Sequence, residues 1–81
     1  MVGNVHPILK VLARNVRKHR LARGMTLEEL CKKARVSRHV LARIEAGKSN
    51  PGIDTVFRIA RALDVAAPAL FEQPGKPRRV H

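Results

Sequence analysis

Three side chains close together in the sequence carry hydrogen-bond donors suited to a polar or anionic partner. Arg38, His39 and Arg43 fall on one face of a short helical pattern. The opposite face is an apolar stripe made of Val40, Leu41 and Ile44. A guanidinium presents a planar fork of N–H donors, and a histidine ring can add one or two more. The chemistry this set favours is hydrogen bonding and charge pairing.

These side chains need a rigid support, and the residues between Thr26 and Gly47 predict two short helices. Thr26 stands three residues before Glu29, the spacing of a capping box. The pattern breaks at residues 34–36, Ser37 can cap the second helix, and Gly47 can end it. Two short helices around a tight turn, the second with a basic outer face, indicate a helix-turn-helix whose second helix reads the major groove of DNA.

The composition limits the class of partner. The chain has 81 residues, enough for one small domain, and a formal net charge of +11. Twelve Lys and Arg against three Glu lie between Lys10 and Lys48, which is nine of the net eleven positive charges. Such a surface favours nucleic acid first and an anionic membrane second. A solvated face without a partner is the alternative explanation of the charge.

The flanking sequence predicts three more helices and two irregular ends. Amphipathic patterns cover 8–23 and 53–63, and Gly24 and Asp64 are expected to end them in the left-handed region. A short helix with Pro68 near its start is expected over 66–71. The apolar positions of the two longer patterns are Leu9, Leu12, Val16, Ile53, Val56, Ile59, Ala60 and Leu63. We expect a flexible arm over 1–7, a domain over 8–72 and a disordered basic tail over 73–81.

Other functional classes have little support in the sequence. Cys31 is the single cysteine, expected to be a small buried thiol, and the four histidines lack metal-ligand spacing. We therefore predict neither a metal nor a cofactor. No nucleophile stands beside a base and no carboxylates form a pair, so we predict no catalytic residue and no enzyme. No apolar run is long enough to span a bilayer, and the protein is expected to be soluble and cytoplasmic.

Residues 12–71 closely resemble the lambda-repressor-like (XRE/Cro-type) DNA-binding domains of phage repressors and bacterial regulators. The resemblance is carried by VRKHRLARGMTLEELCKKARVSRHVLARIEAGKSNP, by TVFRIARALDV and by ALF. It implies a compact all-α domain of five helices with the helix-turn-helix at helices 2 and 3. It also implies a bacterial or phage protein associated with the nucleoid.

The resemblance assigns base contacts to the second helix of the motif. Arg38 and His39 stand at positions that face base edges in this family, and Arg43 lies one turn further along. An arginine there can bind O6 and N7 of a guanine. A phosphate contact remains the alternative for each of the three, most of all for Arg43, whose reach also covers the backbone.

Phosphate contacts are implied at four other positions. The amides near Thr26 and Leu27 begin a helix, where the positive end of the dipole can bind an anion. Ser37 can combine capping with a contact to a phosphate or to a thymine methyl. Lys48, after the reading helix, matches a phosphate-contacting position of the family. Leu27 departs from the glutamine common in the family, so one side-chain contact is lost.

A structural ion pair and one strained turn are also expected. In many members of the family, the residues matching Arg20 and Glu45 pair and tie the first helix to the third. Arg35 replaces the frequent turn glycine, which places a non-glycine residue in the left-handed region at a cost of about 1 kcal/mol.

Three functions remain open on the sequence. The first is a sequence-specific transcription regulator that binds double-stranded DNA as a homodimer on a palindrome. The second is an antitoxin that binds a toxin, or another protein partner, as well as its own promoter. The third is a nucleoid-type or coactivator module that binds DNA without reading sequence, driven by the net charge of +11. Candidates for the dimer surface are Phe57, Val65, Leu70 and Phe71.

Overall fold

Four α-helices and one 3-10 helix make up the described part of the chain. The computed structural model describes residues 6–73, so most of the predicted arm and tail lie outside it. The elements are α1 (Pro7–Ala22), α2 (Leu27–Ala34), α3 (Arg38–Glu45), α4 (Ile53–Leu63) and a 3-10 helix (Ala67–Phe71). No strand occurs among these residues, and none of their helices is both long and apolar enough to cross a bilayer. The predicted all-α order is confirmed, except that the fifth helix is a 3-10 helix.

Helix α1 begins one residue earlier than the predicted domain boundary. Pro7 occupies its first position, where a missing N–H costs nothing. The preceding residue, His6, caps the helix, because its Nδ1 accepts a hydrogen bond from the Ile8 amide at 3.0 Å. At the other end the chain turns through Gly24 at φ +67°. Glycine adopts this conformation without steric cost, as predicted.

The caps of α2 and α3 are those predicted. Thr26 Oγ1 accepts from the Glu29 amide at 3.0 Å, and Glu29 Oε1 accepts from the Thr26 amide at 2.8 Å, which completes a capping box. Ser37 Oγ accepts from the Val40 amide at 3.1 Å. Between the two helices Arg35 takes the left-handed conformation, with φ 60° and ψ 48°. The turn is therefore tight, and it is strained at one non-glycine residue.

Neither α4 nor the 3-10 helix begins with a side-chain cap. Asp64 ends α4 in the left-handed region at φ 60°, as predicted. The 3-10 helix begins after Ala66, which provides no side-chain cap, and it carries a proline in its first turn. An uncapped segment of five residues gains little from α-helical hydrogen bonds, which is consistent with a single tight 3-10 turn.

The helices enclose one core. α1 packs against α3 and the 3-10 helix, and α2 packs against α3 and α4. The core consists of small aliphatic side chains and one thiol: Leu12, Val16, Leu30, Cys31, Ala34, Val36, Leu41, Ile44, Val56, Ile59, Ala60, Ala62, Leu63 and Leu70. The packing fixes α3 on two sides while leaving its outer face open.

Three apolar predictions are wrong. Val40 is exposed because it lies about 100° around α3 from Leu41, at the edge of the packed face. Ile53 keeps 75% of its surface because it is the first residue of α4, and helical side chains lean toward the N-terminus, beyond the packed turn. Leu70, a candidate for the dimer surface, is instead fully buried in the core. Val65 is partly buried against the core.

Asn15 is a buried polar residue that was not among the predicted core or site residues. Its Nδ2 donates to the carbonyl oxygen of Leu70 at 2.9 Å and to that of Glu72 at 2.7 Å. These two bonds connect α1 to the end of the 3-10 helix, more than fifty residues away in sequence. A buried amide with both donors used contributes to the fold and specifies where the C-terminal segment lies.

Candidate nucleic-acid interface

Helix α3 has two opposite faces. Leu41 and Ile44 are buried in the core, whereas Arg38, His39 and Arg43 are exposed. The helical period produces this division, since 41 and 44 are three residues apart and lie on the same side. The three predicted base-contacting residues therefore share the outer surface of one helix that the core holds rigidly.

The start of α2 lies beside the start of α3. Arg38 Nη1 donates to Glu28 Oε2 at 3.3 Å, and both side chains are largely exposed. The contact shows that the first turns of α2 and α3, where the positive ends of the helix dipoles lie, border the same surface. Groups suited to phosphate and groups suited to bases are consequently neighbours.

At the start of α2, only some of the backbone amides are free to bind an anion. The Thr26 amide is already bound by Glu29, which leaves the next amides, beginning with Leu27, for an external acceptor. The Leu27 side chain packs against the core rather than facing outward. This packing explains how a leucine can occupy a position where the family often has glutamine. At Leu27, therefore, the backbone amide and not the side chain is the group suited to a phosphate.

The end of α3 is joined to the loop that follows. Arg43 Nη2 donates to the Lys48 carbonyl at 2.9 Å, and the Lys48 amide donates to the Arg43 carbonyl at 2.9 Å. Between them Gly47 is buried at φ +75°, and a Cβ added there would lie 3.8 Å from Ala13 and Lys10 of α1. The Lys48 side chain is thus held at the surface at the end of α3, while part of the Arg43 fork is already engaged.

Ser37 combines capping with a further capacity. Its oxygen accepts from the Val40 amide, which leaves the hydroxyl proton able to donate. The residue is exposed at the N-terminal end of α3, next to Arg38. A phosphate oxygen is a suitable acceptor for that proton.

The expected pair between Arg20 and Glu45 is present. Arg20 Nε and Nη2 donate to Glu45 Oε2 and Oε1 at 2.8 and 3.0 Å, and Nη1 donates to the Met25 carbonyl at 2.8 Å. The two side chains retain 12% and 9% of their surface. The hydrogen bonds to Glu45 raise the pKa of Arg20. The pair fixes α3 relative to α1 and to the turn that precedes α2.

Sequence spacing gives no signal for one contact described above and only a weak signal for the burial of another residue. The contact between Glu28 and Arg38 joins residues ten apart across a turn, where no helical rule predicts proximity. The burial of Asn15 has a faint signal, because it lies in register with Leu12 and beside Val16 on the apolar face of α1. Neither Glu28 nor Asn15 belonged to the predicted site.

Comparison with known proteins agrees with this geometry. The model of the helix-turn-helix family HTH_3 matches residues 16–70. An HTH-type transcriptional regulator of Archaeoglobus fulgidus is 39% identical over 56 residues, which are 69% of this chain and 80% of that protein. A regulator of the same description from Methanothermobacter thermautotrophicus is 40% identical over 48 residues, covering 59% of this chain and 70% of the other.

Solved structures show the same fold. The restriction-modification controller protein C.AhdI of Aeromonas hydrophila superposes with a TM-score of 0.78 at 26% identity, over 82% of this chain and all of that one. The hypothetical transcription factor NHTF of Neisseria gives a TM-score of 0.79 at 31% identity, over 83% of this chain and 77% of that one. The chain belongs to the HTH_3 family of lambda-repressor-like helix-turn-helix DNA-binding domains.

Proposed function

We propose that this protein is a sequence-specific transcription regulator that binds double-stranded DNA as a homodimer on a palindromic operator. The observation that carries the proposal is the outer face of α3, where Arg38, His39 and Arg43 project from a helix fixed by the core and by an ion pair. Base reading requires side chains on a rigid element, because donors that reach base edges discriminate only when they are held in register.

The roles divide along the surface. Arg38 and His39, near the N-terminal end of α3, are placed to contact base edges, and Arg43 reaches the last base or the adjacent phosphate. Leu27 is the first residue of α2, directly after the capping residue Thr26. Its backbone amide binds a phosphate near the start of α3. Ser37 adds a second phosphate contact. Lys48 binds the backbone at the far end.

The proposed dimer surface is an apolar groove between α4 and the 3-10 helix. Its large exposed members are Ile53, Phe57 and Phe71, and Val56, Ala67 and Pro68 also line it. No residue of α3 belongs to the groove, so a second copy of the chain can cover it while both α3 helices remain open to DNA. One domain makes few base contacts, and a second half-site supplies the missing specificity.

Selection from random duplexes followed by binding measurements tests the base-reading function. The expected result is a palindromic motif, with Arg38→Ala weakening the selected site by about 10- to 100-fold and random DNA much less. Arg58→Ala on α4 is the matched control, an exposed arginine outside α3 that should leave both affinities unchanged. No enriched motif, or equal losses on the two duplexes with Arg38→Ala, would contradict base reading.

Sedimentation of two charge variants tests the dimer. Phe57 and Leu21 each keep 56% of their surface, but only Phe57 lines the groove. Phe57→Glu should shift the chain toward monomer and weaken operator binding, whereas Leu21→Glu should do neither. Identical sedimentation of the two variants would show that copies do not associate through this groove.

A further inference from the structure

Glu28 is the one carboxylate of residues 6–73 that contacts a proposed base-reading side chain. Its Oε2 accepts from Arg38 Nη1 at 3.3 Å. The other glutamates of the helix-turn-helix have internal partners, since Glu29 closes a capping box and Glu45 binds Arg20. A negative charge on a surface that must approach a polyanion weakens the approach. Glu28 therefore carries a cost for binding without the capping role of Glu29 or the helix-connecting role of Glu45.

The contact leaves the recognition edge of Arg38 available. A guanidinium has five N–H donors, and the contact with Glu28 uses only the Nη1 group. The Nε and Nη2 groups form a fork of the kind that binds two acceptors side by side. Arg38 can consequently hold O6 and N7 of a guanine while Nη1 remains on the carboxylate.

We propose that Glu28 is a positioning residue that increases the sequence discrimination of Arg38. Its carboxylate orients the guanidinium before DNA arrives, so less side-chain freedom is lost when the matching base is bound. Its charge also offsets that of Arg38 and weakens attraction to the phosphates of any sequence. The proposal rests on the proposed function, because it requires Arg38 to read a base.

The effect should be visible in DNA binding rather than in folding. Both side chains are mostly exposed, and exposed ion pairs contribute little to stability. Glu28→Gln keeps the size of the side chain and removes its charge. Glu72→Gln makes the same change of charge on the exposed C-terminal segment and is the matched control.

Affinities for the selected duplex and for a random duplex, measured by fluorescence anisotropy at one salt concentration, test the proposal. In Glu28→Gln the random duplex should bind more tightly, and the ratio of the two affinities should fall about threefold. Glu72→Gln should keep the wild-type ratio. In an Arg38→Ala background, the Glu28→Gln change should no longer alter the ratio.

Each outcome has one meaning. A wild-type ratio in Glu28→Gln, or the same fall in the presence and absence of Arg38, would overturn the positioning role. If Arg38→Ala loses discrimination while Glu28→Gln does not, this proposal fails and the base-reading function stands. A wild-type chain that binds both duplexes equally would overturn the base-reading function and the proposal together.

Discussion

Arg20 and Glu45 form a two-point ion pair that connects α1 to the end of α3. Both side chains are nearly buried, and the Met25 carbonyl accepts a third bond from the same guanidinium. Removing one partner leaves a charge without compensation, so Arg20→Ala should lower the free energy of unfolding by about 3 kcal/mol. Urea unfolding followed by circular dichroism measures the loss.

A second arginine of the same region provides the control for this loss. The Arg23 guanidinium lies 3.7 Å from the Asp64 carboxylate, and both side chains are exposed. Arg23→Ala should therefore change the free energy of unfolding by about 0.5 kcal/mol or less. If Arg20→Ala and Arg23→Ala lower the free energy of unfolding equally, burial of the Arg20–Glu45 pair does not add to its stabilising effect.

Asn15 should be essential for the position of the 3-10 helix. Asn15→Ala removes the donor of a buried hydrogen bond to the Leu70 carbonyl and of a partly buried one to the Glu72 carbonyl, at a cost of about 2 kcal/mol. Hydrogen exchange should show faster exchange of the backbone amides at the end of the 3-10 helix. Arg14→Ala, an exposed neighbour on α1, should change neither stability nor exchange. Unchanged exchange in Asn15→Ala would contradict the anchoring role.

The turn of the helix-turn-helix offers a stabilising substitution. Arg35 has φ 60° and is exposed, so Arg35→Gly relieves strain worth about 1 kcal/mol and should raise the melting temperature. Asp64→Gly should gain less, because aspartate tolerates the left-handed region better than most residues. Gly47→Ala, at φ +75°, should lower the melting temperature. A lower melting temperature in Arg35→Gly would mean that the arginine side chain makes a contact that stabilises the fold by more than the backbone strain costs.

Cys31 should make stability depend on alkaline pH. Burial raises the pKa of its thiol, so the folded chain retains a proton that the unfolded chain releases. The contribution of the buried, protonated thiol to the free energy of unfolding is complete below the pKa of the unfolded thiol. It is lost as the pH rises through the higher pKa of the folded thiol. Urea unfolding from neutral to alkaline pH should therefore show a steeper decline in the wild type than in Cys31→Ala. Parallel declines would contradict the shift.

The salt dependence of DNA binding should report phosphate contacts individually. Each phosphate neutralised contributes about −0.9 to the slope of log affinity against log salt. Lys48→Gln should make that slope less negative by about 0.9 and keep the preferred sequence, because a phosphate contact carries no base information. Arg61→Gln on α4 removes the same charge and should leave the slope unchanged. Equal slopes for the wild type and Lys48→Gln would remove Lys48 from the phosphate contacts.

Local signals predicted most of the helices and their ends. Thr26 with Glu29, Ser37, Asp64 and Gly24 act on amides or dihedral angles within a few residues, so their sequence positions determine the result. The same holds for the outward direction of Arg38 and its neighbours, which follows from the buried positions on α3.

Other features depend on packing across the chain. The burial of Leu70 depends on α1 and α4 meeting the 3-10 helix, and the two acceptors of Asn15 are more than fifty residues away. The contact of Glu28 with Arg38 depends on the angle of the turn between α2 and α3. The pairing of Arg20 with Glu45 followed from family resemblance, since nothing local connects the two residues.

The two faces of α3 have a consequence for altering its target. Leu41 and Ile44 attach the helix to the core, whereas positions 38, 39 and 43 project outward from it. A combinatorial library at those three positions would vary the reading surface while preserving every core contact of the helix. The domain is thus a scaffold on which new operator preferences can be selected with little penalty in folding.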